Sequence, residues 1–461
     1  MKRIISFLLS IIFIVCSFSI IGFAESGGEK SVSFLHTEGE SIFNESGEQI
    51  VLRGTNFGGW GIMEDWFCPF VSPSGEEDMY FTLVERFGVE KTHELMKLYR
   101  SNWITEQDYK NVSELGMNVV RLPLWYRNFQ SDDNGTWYRD KNGNIDFSEL
   151  DEAVAMCRKY GLYIIIDMHG LPGYQNDYDH CGKSKSMSLF DDTEKGERYR
   201  EVSKELWVTI AQRYKDEPAV AMYDLMNEPL GTNITSDAGA KQMFWDFSNE
   251  LYEAIRSVDP NHIITMEAIW SPDAIASPDV YGWENIVYQE HLYDVTNPTY
   301  LRKMSEIKKA DFNAPFYIGE FYPRGISTFS YILSLLNKKN LSWTTWTYKG
   351  AGPWAENSPW FIYGASDIEK IDFENDSYET LCSKFGSVLR TDSGKFKKTV
   401  FGDYVSSFTA GQVDKLSLYS FGLFESLGTK EQRKAMRADK MTAVKTTIKD
   451  WIRKLKTGDL L

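Results

Sequence analysis

The chain is poor in the two residues that most often hold metals or crosslinks: 461 residues contain 5 Cys and 6 His. The cysteines form no Cys-x-x-Cys pair, and their spacing matches no zinc-ligand pattern. This excludes a disulfide-dense scaffold, and we expect neither a metal nor a cofactor. One disulfide, for example between Cys68 and Cys181, and free thiols are equally compatible with the sequence.

Positive charge is also scarce, since 50 basic residues stand against 66 acidic ones and the net charge is −16. Without Lys2 and Arg3, which precede the apolar run described next, the net charge becomes −18. Such a surface argues against nucleic acid and anionic lipid as main partners. It suits a soluble extracellular monomer that acts on a neutral polymer.

A long apolar run, Ile4–Ile21, follows the basic start and ends in Gly22-Phe23-Ala24. Small residues at the first and third of these positions fit cleavage after Ala24, so residues 1–24 are predicted to be a signal peptide. An uncleaved membrane anchor is the alternative, because the run approaches the length of a bilayer span. We expect a secreted, extracellular protein, with attachment to the cell surface as an open possibility.

The rest of the chain lacks internal repeats and low-complexity linkers, so we divide it only once. Residues 25–400 are predicted to be one catalytic domain, and residues 401–461 a basic C-terminal helical extension. Within this extension, apolar residues recur at helical spacing over 429–455. Packing of this helix on the main domain and binding to an anionic cell wall are the two alternatives.

Short apolar runs alternate with helical patterns, which is typical of βαβ units and a parallel sheet. Helices are predicted near 151–160, 198–214 and 242–258. Because eight strands can be counted, we predict an α/β fold, a (β/α)8 barrel; an open doubly wound sheet is the rival. The predicted strands are Ile50–Asn56, Val119–Leu124, Tyr163–Asp167, Ala221–Leu225, Ile263–Ala268, Ile286–Gln289, Phe316–Gly319 and Trp343–Thr347.

Two of these strands end on a glutamate. Residues 223–229 read Tyr-Asp-Leu-Met-Asn-Glu-Pro and place Glu228 after the fourth strand, and Glu320 follows the seventh. The carboxyl ends of parallel barrel strands form the active-site face. Two carboxyl groups that converge there are what the cleavage of a glycosidic bond requires. The sequence therefore predicts a glycoside hydrolase.

The chain resembles glycoside hydrolase family 5, whose members are retaining (β/α)8 enzymes. The matching motifs run from Arg53-Gly-Thr-Asn-Phe-Gly-Gly-Trp60 to Trp346-Thr-Tyr-Lys349, and Asn227-Glu228-Pro229 is the most specific of them. The resemblance implies that Glu228 is the acid/base and Glu320 the nucleophile. We expect the negative charge of the nucleophile to raise the pKa of the acid/base.

The resemblance also implies a set of residues around the glutamates. Arg121 is expected beneath the nucleophile, Asn227 at the sugar 2-hydroxyl and Trp346 under the sugar that is cleaved. The remaining substrate-binding candidates are His169 after strand three, His291 and Tyr293 after strand six, and Trp60. Looser candidates for flanking sugars are Trp66, Tyr174, Trp270 and Trp354, and Glu267 is either a sugar ligand or a paired structural carboxylate.

The substrate is less well defined than the chemistry. Residues 171–176, Leu-Pro-Gly-Tyr-Gln-Asn, resemble the exo-1,3-glucanases of the family, but Glu64-Asp65-Trp66 matches their Glu-Pro-Trp only in part. A β-glucan is therefore expected, cleaved in the manner of a cellulase or endo-β-glucanase. The alternatives are an exo-β-1,3-glucanase, a mannanase, a glycolipid-cleaving glycosidase, a transglycosylase and an inactive sugar-binding protein.

Overall fold

A computed structural model describes residues 32–68, 71, 74–231, 238–267, 274–293, 297–321, 332–333, 336–337, 339–351, 371–387 and 389–392. Eight parallel strands in this part of the chain close into a barrel, as the sequence predicted. The predicted signal peptide and C-terminal extension lie outside the described residues. The barrel strands are β4 (Arg53–Asn56), β5 (Val119–Trp125), β6 (Tyr163–Gly170), β7 (Val220–Asp224), β8 (Ile263–Glu267), β9 (Ile286–Leu292), β10 (Phe316–Phe321) and β11 (Ser342–Thr345).

Helices cover the outside of the barrel, and several begin earlier than their apolar pattern suggested. The helix predicted at 198–214 begins at Glu194, because the Thr193 side chain accepts a hydrogen bond from the Gly196 N–H and caps it. The described helices are α1 (Glu76–Phe87), α2 (Val89–Trp103), α3 (Glu106–Glu114), α4 (Ser148–Lys159), α5 (Glu194–Tyr214), α6 (Ala238–Arg256), α7 (Pro278–Tyr281), α8 (Asn297–Ala310) and α9 (Tyr378–Ser387). No helix within these described ranges combines the length and apolar character needed to cross a membrane.

A small antiparallel sheet precedes the barrel and consists of β1 (Leu35–Glu38), β2 (Ser41–Asn44) and β3 (Gln49–Ile50). Leu35 and Ile42 of this sheet pack with Val119, Ile263 and other residues at the amino-terminal ends of the barrel strands. The sheet therefore closes the bottom of the barrel, which leaves the opposite end as the open face.

The barrel strands are apolar at the bottom and polar at the top on the face that points inward. Successive side chains of a strand alternate between the two faces. Val119 in the lower core is thus followed by Arg121, Met222 by Asp224, and Val287 first by Gln289 and then by His291. This alternation brings buried charged groups together under the carboxyl ends of the strands.

All four described cysteines are free thiols: Cys68, Cys157, Cys181 and Cys382. Of the two alternatives, the structure therefore has free thiols and not a Cys68–Cys181 disulfide. Cys181 lies in the long connection between β6 and α5. This connection contains a 3₁₀ turn, Asp179–Cys181, which places His180 beside Glu228.

Candidate active site

Glu320 reaches the barrel mouth because of an irregularity in β10. The pairing register between β10 and β9 shifts between Ile318 and Glu320. Such a bulge changes the face to which the following side chain points. Gly319 lies at this position, and a Cβ atom there would come within 2.5 Å of the Gln289 side chain. Glycine therefore allows the bulge, and the bulge turns Glu320 inward.

Two donors hold the Glu320 carboxylate. Arg121 Nη1 donates to Oε1 at 2.7 Å, and the Tyr293 hydroxyl donates to Oε2. The Glu320 side chain is only 4% exposed. Because each oxygen is bound by its own donor, one within β5 and one directly after β9, the orientation of the carboxylate is fixed before any ligand arrives.

Arg121 organises the floor of the site and is itself fully buried. Besides Glu320, it contacts Asp224 at 2.8 Å and Asp167 at 3.1 Å. Its Nη2 also donates to Asn227 Oδ1 at 2.9 Å. Since a guanidinium group can only donate, the amide oxygen of Asn227 faces Arg121 and its NH₂ group remains the donor for other groups.

Glu228 is held in an unusual backbone conformation, with φ = 44°. A non-glycine residue in this left-handed region costs on the order of 1–3 kcal/mol. The segment 171–176 compensates with hydrogen bonds. Asn176 Nδ2 donates to the Glu228 carbonyl at 3.0 Å, and Gln175 Nε2 donates to the Asn227 carbonyl at 2.9 Å.

Two histidines contact the Glu228 carboxylate, one at each oxygen. His291 Nδ1 lies 2.7 Å from Oε1, and His180 Nε2 lies 3.2 Å from Oε2. Burial favours a raised pKa, but these hydrogen bonds and positive charges lower the pKa of Glu228 well below its usual value. The expectation of a raised pKa for Glu228 is therefore wrong for the protein without ligand. The two histidines lower this pKa by more than the negative charge of Glu320 raises it.

The two carboxyl groups lie close together at the carboxyl ends of the barrel strands. Oxygen atoms of Glu228 and Glu320 lie within 4.8 Å of each other, and His291 Nδ1 lies within the same distance of both. These three residues form the one group of possible metal ligands that the described ranges contain. Arg121, Tyr293 and the histidines already donate to the oxygens that a cation would need.

His169 and Trp346 form a stacked pair beside the carboxylates. Their ring centroids are 5.3 Å apart with an interplanar angle of 12°. His169 Nδ1 lies 2.7 Å from Asp167 Oδ2, and burial lowers the pKa of His169 well below its usual value. The His169 ring is therefore neutral, and its contact with Asp167 fixes its orientation.

The aromatic candidates for flanking sugars fall into three groups. Trp60 is 6% exposed within the main core, and Tyr174 is buried with its hydroxyl bound to Glu77. Trp66 is partly exposed, and its indole N–H donates to Glu64 at 2.7 Å. Trp270 and Trp354 lie outside the described residues. Sugar contact by any of these side chains stays a prediction.

Glu267 was left undecided by the sequence. The structure buries it, and its Oε2 accepts a hydrogen bond from Gln289 at 3.1 Å. Its Oε1 lies 3.4 Å from His291 Nε2, without the geometry of a hydrogen bond. Burial raises the pKa of Glu267 well above its usual value. It is therefore a paired carboxyl beneath the site.

Sequence reasoning missed His180, Asp167 and Asp224 as parts of the site. The two aspartates could have been found from strand alternation, because a buried arginine needs acidic partners on neighbouring strands. His180 gave no comparable signal, since it lies in a loop whose path does not follow from periodicity.

A buried arginine–carboxylate floor, a second carboxylate on the facing strand end and a barrel mouth define a glycoside hydrolase. A family model for cellulase, glycosyl hydrolase family 5, matches residues 84–352, more than half of the chain. The chain belongs to this family.

Curated relatives of the chain carry several substrate names. A β-xylosidase from Phanerodontia chrysosporium is 27% identical over 70% of this chain and 72% of its own length. A glucan 1,3-β-glucosidase from Candida oleophila is 31% identical over 55% of this chain and 61% of its own. The chain thus spans less than two thirds of the glucosidase that it matches.

Solved structures support the fold. An endogalactoceramidase matches with a TM-score of 0.56 and 18% identity, over 77% of this chain and 85% of its own. A rutinosidase from Aspergillus niger matches with a TM-score of 0.54 and 17% identity, over 73% of this chain and 98% of its own. At this identity the likeness concerns the barrel and not the substrate.

Proposed function

We propose that the chain is a retaining β-glycosidase in which Glu320 is the nucleophile and Glu228 the acid/base. One observation carries the proposal: oxygens of the two carboxyl groups lie within 4.8 Å of each other. Retaining enzymes place these groups roughly 5–5.5 Å apart, whereas inverting enzymes need about 6.5–9.5 Å to admit a water molecule. The separation favours direct attack.

The contacts support this division of roles. Glu320 is held by Arg121 and Tyr293 and attacks the anomeric carbon, while Glu228 protonates the departing oxygen. A water molecule then attacks the glycosyl–enzyme, and Glu228 accepts its proton. In this proposal the Asn227 NH₂ group binds the sugar 2-hydroxyl, and the face of Trp346 carries the same sugar.

The proposed substrate is a β-glucan, and a β-1,3-linked glucan cleaved from its end is the first to test. The support is the glucan 1,3-β-glucosidase relative at 31% identity together with the Leu-Pro-Gly-Tyr-Gln-Asn segment. A β-xyloside is the second candidate because of the β-xylosidase relative. Mannan, β-1,4-glucan and a glycosphingolipid complete the panel, and sugar acceptors at high concentration test for transglycosylation.

Proton NMR of the first-formed product tests the mechanism. Retention predicts that the β-anomer appears first, and an α-anomer at early times would contradict the proposal. Glu320→Gln should lower turnover to the background rate without loss of the folded circular dichroism spectrum. Glu284→Gln is the matched control, because Glu284 is exposed and the same chemical change there should leave turnover intact.

Secretion is also part of the proposal, since residues 1–24 have the pattern of a signal peptide. Expression with and without this segment, followed by amino-terminal sequencing of the protein in the medium, tests it. A mature chain that begins at Glu25 is expected. Retention of the intact leader in the membrane fraction would favour the anchor instead.

A further inference from the structure

His180 contacts the carboxylate of Glu228 on the side opposite His291. Its Nε2 lies 3.2 Å from Oε2, whereas His291 occupies Oε1. The two histidines differ in access to solvent, because the side chain of His180 is 17% exposed and that of His291 is fully buried. His180 is therefore the partner of Glu228 that lies nearer to solvent.

The loop around His180 is fixed by its own contacts. The ring stacks on Tyr178 with centroids 5.3 Å apart and an interplanar angle of 21°. Cys181 Sγ donates to the Tyr178 carbonyl, and the Gly182 carbonyl accepts a hydrogen bond from the N–H of Glu77 at the start of α1. His180 Nδ1 is buried without a hydrogen-bond partner. The fixed ring thus directs Nε2 at Glu228.

The charges that face His180 come from three separate segments. Glu64 follows β4, Asp179 precedes His180 in the same turn, and Glu228 follows β7. Burial works to lower the pKa of His180, but Glu228 first and then Glu64 and Asp179 raise it to about 9. His169, whose ring lies 6.0 Å away, is kept neutral by burial and adds no positive charge to oppose this effect.

His291 does not have the same role, although it is closer to Glu228. It also lies 3.4 Å from Glu267 and 3.5 Å from Glu320. Burial works to lower the pKa of His291, but Glu267, Glu320 and Glu228 together raise it to about 10. The positive charge of His291 is therefore stabilised by several carboxyl groups and does not depend on Glu228 alone.

We propose that His180 is a positioning residue that holds the proton which Glu228 delivers to the leaving group; this inference rests on the proposed function. In the resting enzyme the imidazolium Nε2–H donates to the Glu228 carboxylate. The proton moves to Oε2, which leaves a neutral imidazole and a neutral carboxyl group. The carboxyl proton then passes to the glycosidic oxygen as the bond from that oxygen to the anomeric carbon breaks.

The second half of the reaction restores the pair. Water attacks the anomeric carbon of the glycosyl–enzyme and releases Glu320, and its proton goes to Glu228. That proton then returns to His180 Nε2. The pair thus titrates as a unit, so the alkaline limb of the rate profile belongs to the histidine–carboxyl pair and not to an isolated carboxyl group.

The kinetic test compares two leaving groups in His180→Gln and His180→Asn. An alkyl β-glycoside needs protonation, whereas a 2,4-dinitrophenyl β-glycoside does not. For the alkyl substrate we expect the alkaline limb of kcat/KM near pH 9 in the natural protein and on the order of two pH units lower in the variants. At pH 8, about one unit above the shifted limb, the loss should be about 10-fold, while the dinitrophenyl substrate changes little.

His36→Gln is the matched control, because His36 is exposed on the small sheet at the closed end of the barrel. It should leave both profiles unchanged. An alkaline limb that stays in place in both His180 variants would overturn the proposal. Equal losses on the two leaving groups would do so as well, because they would indicate a structural role.

A second measurement does not depend on activity. With 6 histidines in the chain, imidazole NMR signals of labelled protein are few, and the His180 signal is the one absent from His180→Gln. This signal should show that the His180 ring remains protonated to near pH 9 in the natural protein. In Glu228→Gln the ring should titrate at a lower pH. Titration near the ordinary value of about 6.5 would refute the inference. Absence of β-glycosidase activity in the natural protein would instead refute the proposed function.

Discussion

The Arg121 guanidinium and the Glu320 carboxylate form a hydrogen bond of 2.7 Å in the closed interior of the barrel. The same guanidinium contacts Asp167 and Asp224. One buried cation thus faces three carboxyl groups, and it links the orientation of the proposed nucleophile to the stability of the barrel floor.

Arg121→Gln should destabilise the protein as well as inactivate it. Removing one partner from a buried ion pair costs about 3–5 kcal/mol, because the remaining charges are left uncompensated. Urea unfolding measures this cost, and kcat should fall at the same time. Arg302→Gln is the control, since Arg302 is 64% exposed and pairs only weakly with Glu306 at 3.7 Å. Equal unfolding midpoints for the two variants would contradict the role of Arg121.

Tyr293→Phe should slow the first chemical step without harm to the fold. The hydroxyl donates to Glu320 Oε2, and a hydrogen bond to a charged group contributes about 1.5–3 kcal/mol. We expect the rate of glycosyl–enzyme formation to fall roughly 10- to 100-fold. Trapping with a 2-deoxy-2-fluoro glycoside measures this rate. Tyr252→Phe is the control, because its hydroxyl binds the exposed Glu284 carbonyl and should be dispensable.

Gln175→Met should affect catalysis from a distance. Gln175 Nε2 donates to the His169 carbonyl at 2.6 Å and to the Asn227 carbonyl at 2.9 Å. Loss of both bonds removes a donor from two buried carbonyls, and a carbonyl left unsatisfied costs about 1–3 kcal/mol. The strained turn at Glu228 should then relax, so kcat should fall more than KM rises. Gln107→Met on the exposed face of α3 is the control, and identical kinetics for both variants would contradict this role.

The barrel and the two glutamates could be predicted from the sequence because their signals are local. Strand length and an acid or amide at the strand end mark Glu228 and Glu320, and all eight predicted strands are present in the structure. The residues that tune the site could not be predicted. His180 depends on the path of a loop, and the direction of the Glu228 pKa depends on which neighbour lies closest.

Buried carboxyl groups should make the folded protein less stable as the pH rises. Burial raises the pKa of Glu76 and of Glu290 to about 7, from 4.5. Between pH 4.5 and pH 7, the folded state therefore binds more protons than the unfolded state. The stabilisation is complete below pH 4.5 and is lost as the pH rises through 7. Burial lowers the pKa of His93 to about 4, so His93 opposes this trend as the pH falls below 6.5.

Glu290→Gln tests whether Glu290 is a neutral acid or forms an ion pair with Lys303 that stabilises the fold. Neither of its oxygens has a hydrogen-bond partner, and Lys303 Nζ lies 3.5 Å away. As a neutral acid, Glu290 resembles glutamine at pH 5, and the variant should match the natural protein there. At pH 8 the variant should be more stable by up to about 3 kcal/mol, the equivalent of the pKa shift. Urea unfolding at both pH values measures the difference, and Glu284→Gln at an exposed site should change neither. A loss of stability at pH 5 and pH 8 alike would show instead that Lys303 depends on a charged Glu290.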